Sequence, residues 1–204
     1  MQDRIASDNT SSPKAPQAGG PARIRADDGD LDRDLDRARH PAVTRPSAGT
    51  VSAYETTRYF AQASEPVLLR IGDEPQRLRD WLEKMSAQSV TIMTAWNPQG
   101  EETPAAENDR AQAQLLSSVR AHHLRWLPAT GEDPAGFWKP EPGFCVFDLP
   151  EAVLDQWLVI FRQNAAVRVA REHSCHLVWH PSFRSEMPGV QKRLEDGAAG
   201  KAAA

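Results

Sequence analysis

The chain has 204 residues, 40% of them apolar and 25% charged, and a formal net charge of −4. That is apolar material for one hydrophobic core, and a mildly acidic body argues against a general affinity for nucleic-acid phosphates, which rewards a surplus of Lys and Arg. No stretch approaches the roughly 20 apolar residues that span a bilayer, and the N-terminus lacks the basic-then-apolar order of a secretory signal, so a soluble, cytoplasmic protein is expected, with no membrane partner.

The first 50 residues contain no Phe, Trp or Tyr and carry eight acidic and eight basic side chains, with Pro13, Pro16, Pro21, Pro41 and Pro46 spread among them. Such a segment cannot bury enough apolar area to offset roughly 1–2 kcal/mol of backbone entropy per ordered residue. Residues 1–50 are therefore expected to form a disordered tail, residues 51–184 a single domain, and residues 185–204, polar and then rich in Ala and Gly, a flexible end. The two cysteines, Cys145 and Cys175, fit buried thiols in a reducing compartment.

Two short strands, Thr56 to Ala61 and Val67 to Ile71, are predicted as a hairpin turning at Ser64-Glu65-Pro66. Leu78, Trp81, Leu82 and Met85 then fall on one helical face, with Asp73 as the expected cap and Pro75 in the first turn. Val90 to Thr94 is a β-branched and apolar run suited to a central strand. After a polar loop, Asn108 is expected to cap a helix carrying Ala111, Leu115, Val119 and His122 on one stripe, followed by a strand Leu124 to Leu127. A long connection, Pro128 to Pro142, leads to a strand Phe144 to Phe147. Asp148 and Glu151 have the spacing of a capping box ahead of a helix with Val153, Leu154, Trp157, Leu158 and Phe161 on its apolar face. Ala165, Val167 and Val169, then Leu177-Val178-Trp179, predict two closing strands.

The pattern predicts an α+β fold of α/β-like character: a single mixed sheet, about three packing helices, and one parallel strand–helix–strand crossover joining Val90–Thr94 to Leu124–Leu127. Following chain direction, the end of Val90–Thr94, the start of the next helix, the start of Phe144–Phe147 and the end of the last helix meet at one sheet edge. That places Asn97, Asn108, Arg110, Glu141 and Gln163 around one crevice at the carboxyl edge, where ligands of open α/β sheets bind. A helix N-terminus beside Arg110 would suit a carboxylate or phosphate group. Taken singly, these residues also read as a turn, a cap, a solvated ion pair and a loop carboxylate.

At the same positions the sequence resembles the bacterial family known as domain of unknown function 3293. The residues that carry the resemblance are Thr94-Ala95-Trp96-Asn97-Pro98, Glu107-Asn108-Asp109-Arg110, Pro128-Ala129 with Gly131 and Asp133-Pro134, Glu141-Pro142-Gly143-Phe144, and Phe161-Arg162-Gln163-Asn164-Ala165, over roughly Tyr54 to Val178. The resemblance implies the same domain boundaries and draws weight to the polar edge, and it brings no reaction with it.

Three readings stand open: a small polar or anionic ligand bound at this edge in a regulatory or accessory role, an enzyme using Glu141 as general base, and a protein-interaction module presenting Trp96, Phe137 and Trp138. The chain holds neither a Gly-x-Ser-x-Gly elbow nor a P-loop, nor a Gly-x-Gly-x-x-Gly after a strand, so no cofactor is implied. No metal site is implied either: His176 and His180 would share a strand face about 13 Å apart, too far for one ion, with His173 on the other face.

Overall fold

Among residues 43–187, which the computed structural model describes, four α-helices and seven β-strands form. In chain order these are α1 (Ala48–Thr56), β1 (Arg58–Ala61), β2 (Val67–Leu69), α2 (Pro75–Lys84), β3 (Ser89–Met93), α3 (Ala105–Ala121), β4 (Trp126–Glu132), β5 (Glu141–Phe147), α4 (Glu151–Ile160), β6 (Ala165–Ala170) and β7 (His173–Trp179). Most of the expected N-terminal tail, and the end beyond residue 187, lie outside the described residues. Helix α1 starts at Ala48, just ahead of the compositional boundary after residue 50.

The strands form one sheet in the order β2-β1-β4-β5-β3-β6-β7, and every pairing is antiparallel. The expected mixed sheet with a parallel crossover is thereby corrected. β3 and β4 do point the same way, as a connecting helix demands, but β5 returns from β4 and fills the slot between them. The strands β3 to β6 with α3 and α4 make a split β-α-β-β-α-β arrangement, in which both like-directed pairs are separated by one strand. Chain direction is preserved under this correction, and so is the set of loops gathered at the edge where β3 ends and β5 begins.

The period-2 alternation of the strands sorts side chains onto two faces. One face, with Val90, Ile92, Cys145, Phe147, Val167 and Trp179, is covered by Leu78 and Leu82 of α2 and by Val51 and Tyr54 of α1. The other, with Met93, Phe144, Val146, Ala166 and Val178, packs against Leu115 and Val119 of α3 and Leu154, Trp157 and Leu158 of α4. Both cysteines are free and buried, and burial pushes each thiol up to about 12.

Three expected caps are replaced by other contacts. Asp73 Oδ2 accepts from Arg70 N at 2.8 Å and Arg77 Nη2 at 2.6 Å, while Glu74 precedes α2 without a side-chain cap. Asp148, at φ 51°, turns its carboxylate back to accept from Gln88 N at 2.7 Å and Ser89 N at 2.9 Å, tying the start of β3 to the end of β5 rather than capping α4. Helix α3 begins three residues before Asn108, behind Pro104, so Asn108 sits inside its first turn. β4 also runs on through Pro128 and Gly131, so the connection read as Pro128 to Pro142 shrinks to residues 133–140.

Candidate functional site

Where β3 ends, its chain must leave the sheet, and Thr94 to Asn97 do so under dense side-chain control. Ala95 N donates to Gln112 Oε1 at 2.9 Å, Trp96 N to Thr94 Oγ1 at 2.9 Å, and Thr94 Oγ1 to the Pro142 carbonyl at 2.7 Å. Asn97 takes the left-handed conformation (φ 46°), which Asn tolerates better than most residues. Its backbone N–H donates to Asn108 Oδ1 at 2.8 Å, and its Oδ1 accepts from Asn108 Nδ2 at 2.9 Å and Thr103 N at 3.1 Å. With these bonds made, the Asn97 side-chain amide has one direction left, and Nδ2 donates to Glu141 Oε1 at 2.7 Å.

Asn97, Asn108, Glu141 and Gln163 all line one cleft of about 950 Å³. It opens on the α1 face of the sheet edge, with Tyr54 and Thr57 of the α1 segment on one side and Trp96 and Trp138 from the loops after β3 and β4 on another. The four residues differ in what they offer. Asn108 is 2% exposed and Gln163 3% exposed, and both spend their amides on the framework, Gln163 Nε2 donating to the carbonyls of Trp96 at 3.1 Å and Phe161 at 3.2 Å. Asn97 and Glu141 are only partly buried.

Arg110 does not join them. It is exposed on α3, where its Nε donates to the Ala106 carbonyl at 3.0 Å, and it does not line the cleft. At about 100° per residue, Arg110 lies roughly 200° around α3 from the cleft-lining Asn108, on the opposite side of the helix.

Electrostatics set Glu141 apart. Burial raises its carboxyl above the ordinary carboxylate range, and the Asn97 hydrogen bond offsets part of that rise. The Tyr54 hydroxyl is pushed up to about 12, first by burial and then by the Glu141 charge, while a hydrogen bond with the Asn164 side chain acts the other way. His180, just past β7, is a buried core histidine: its Nδ1 accepts from Ser182 N at 3.1 Å and its ring stacks on Phe183 at 5.4 Å.

Sequence reasoning missed Tyr54, Thr57 and Gly131 as cleft residues. Tyr54 had a signal: it is one of two tyrosines in the chain and the first aromatic after fifty residues without one. Gly131 lacked any signal, because a glycine in a Pro- and Gly-bearing stretch reads as a loop; in β4 it leaves space, an added Cβ meeting only Thr57 Cγ2 at 3.6 Å and the Tyr59 ring at 3.8 Å.

Residues 93–166 match the family described as protein of unknown function (DUF3293), which bears out the resemblance read from the sequence. The matched stretch runs from the end of β3 into β6 and contains Asn97, Asn108, Glu141 and Gln163, whereas Tyr54 and Thr57 precede it. No curated protein and no solved structure matches the chain.

Proposed function

We propose that the domain binds a small polar ligand in the cleft at this sheet edge, with Glu141 and Asn97 as the side chains that meet it and Asn108, Gln112 and Gln163 as the groups that hold the loop in place. One observation carries the reading. Side-chain hydrogen bonds fix Thr94 to Asn97 so that a half-buried carboxylate and its amide partner stand in a cleft whose volume falls in the range of small-molecule sites. Arg110, the cation on which an anionic ligand would have relied, stands outside it.

A thermal-shift screen of amines, nucleobases, carboxylates and phosphates against the full chain tests the proposal. Gly131→Leu places a side chain in the cleft, and Arg110→Ala is the control. The expected result is a compound that raises the melting temperature of wild type and Arg110→Ala but not of Gly131→Leu; a screen in which no compound separates wild type from Gly131→Leu removes the proposal.

A second reading, an enzyme with Glu141 as general base, draws support from the raised Glu141 carboxyl, since proton transfer is served by a carboxylate poised above its ordinary range. Its signature is turnover of a bound compound that disappears in Glu141→Gln while binding persists.

A further inference from the structure

The chemistry of the cleft narrows its ligand, on the premise, argued above, that the cleft is the binding site. Three charged side chains line it: Glu102 and Lys139 are exposed, and Glu141 is partly buried. The Glu141 carboxylate accepts one hydrogen bond, from Asn97, and among the described residues no Lys, Arg or His forms an ion pair with it. A partly buried carboxylate with a single protein donor has acceptor capacity left, and it is best completed by a group that brings both positive charge and N–H donors.

The surroundings favour such a group. Trp96, Trp138, Phe137, Tyr54 and Tyr59 line the same cleft, and aromatic faces attract cations through the ring quadrupole. Phe137 is 90% exposed, yet its loop is fixed: the Asp133 carboxylate accepts from Ala135 N at 2.8 Å and Phe137 N at 2.7 Å. Asp133 thus fixes the backbone that carries this exposed ring at the cleft.

We infer that the cleft takes an organic nitrogen cation carrying N–H donors, an amidinium, guanidinium or primary ammonium group, seated on Glu141 with Trp138 and Phe137 against its apolar part. Burial of the unpaired Glu141 carboxyl and the absence of Arg110 from the cleft act in the same direction.

Isothermal titration of the full chain with benzamidine, benzamide and benzoate separates charge from shape, because the three share a ring and differ in the polar end. Benzamidine is expected to bind more tightly than benzamide, and benzoate least tightly. Glu141→Gln should weaken benzamidine by roughly ten- to a hundredfold, the loss of one charge-assisted hydrogen bond, and Trp138→Ala by a smaller factor. Circular dichroism and an unfolding curve confirm that each variant is folded, and Asp148→Asn, far from the cleft lining, serves as a matched control for stability. Benzoate binding as tightly as benzamidine and lost in Gly131→Leu overturns the cation assignment and leaves the cleft intact as a site. Benzamidine binding that survives in a folded Glu141→Gln, or no benzamidine binding at millimolar concentration, overturns the inference. Probe binding that is indifferent to Gly131→Leu overturns the cleft reading as well.

Discussion

Asn97 and Asn108 hold each other through two hydrogen bonds of opposite sense, Asn97 N to Asn108 Oδ1 at 2.8 Å and Asn108 Nδ2 to Asn97 Oδ1 at 2.9 Å. The pair joins the end of β3 to the first turn of α3, and it orients the one Asn97 donor that reaches Glu141.

Asn108→Ala removes both bonds and a third, from Nδ2 to the Thr103 carbonyl at 3.0 Å, at a residue with almost no exposure. Stability should fall by about 1–3 kcal/mol, the cost of leaving buried partners unsatisfied. Urea unfolding measures it, and a loss below the error of the extrapolation would show that the loop repairs itself.

Gly143 sits in β5 where β3 comes closest: a Cβ there would lie 2.8 Å from the Met93 carbonyl oxygen, a backbone atom that cannot swing aside. Gly143→Ala should therefore cost about 1–3 kcal/mol by overpacking. Gly131→Ala, whose new methyl meets only ordinary contacts, is the matched comparison and should be nearly neutral by the same unfolding measurement.

Asp148 links β3 to the turn after β5 by accepting from Gln88 N and Ser89 N. Asp148→Ala loses Oδ1, the single oxygen that accepts both bonds, and strains a backbone at φ 51°, for a cost of about 1.5–3 kcal/mol. Asp148→Asn keeps an acceptor and tolerates that conformation, so its midpoint in a denaturant titration should lie between those of Asp148→Ala and wild type.

The Glu141 carboxyl gives a pH signature with a definite sign. Its folded pKa is raised, so the native state binds the proton more tightly than the unfolded chain does. That contribution to stability is fully present below the unfolded carboxyl range and is lost as pH rises through the folded value. Glu141→Gln, which keeps the oxygen that Asn97 needs, should melt above wild type at neutral pH, with the difference shrinking as the solution is acidified. Thermal melts across the carboxyl range check this, and a difference that grows on acidification contradicts it.

Direction was legible in the sequence and adjacency was not. Apolar periodicity gave the β1–β2 hairpin, the faces of α2 and α4, and β3, and chain reversal alone brought Asn97, Glu141 and Gln163 to one edge. Nothing in the periodicity says that β5 lies between β3 and β4. The length of β4 was hidden because Pro128 and Gly131 read as loop residues. Pro128 is admissible there because its carbonyl points toward β1, accepting from Gln62 N at 2.8 Å just beyond the end of that strand, so its missing N–H leaves no strand partner unserved. Asn108 and Asp148 misled in the same way: each has a cap's chemistry and spacing, and in each case a backbone N–H from a distant strand end competed for the side chain and won.

Whether the edge built around Asn97 and Glu141 is a ligand site can be read from amide chemical shifts followed during a benzamidine titration of the isotopically labelled full chain. Saturable shifts, on a single binding curve, are expected at Asn97, Gly131, Trp138 and Glu141. Shifts that are absent, or that cluster instead at Arg168, His173 and His176 on the β6–β7 surface, would contradict that reading.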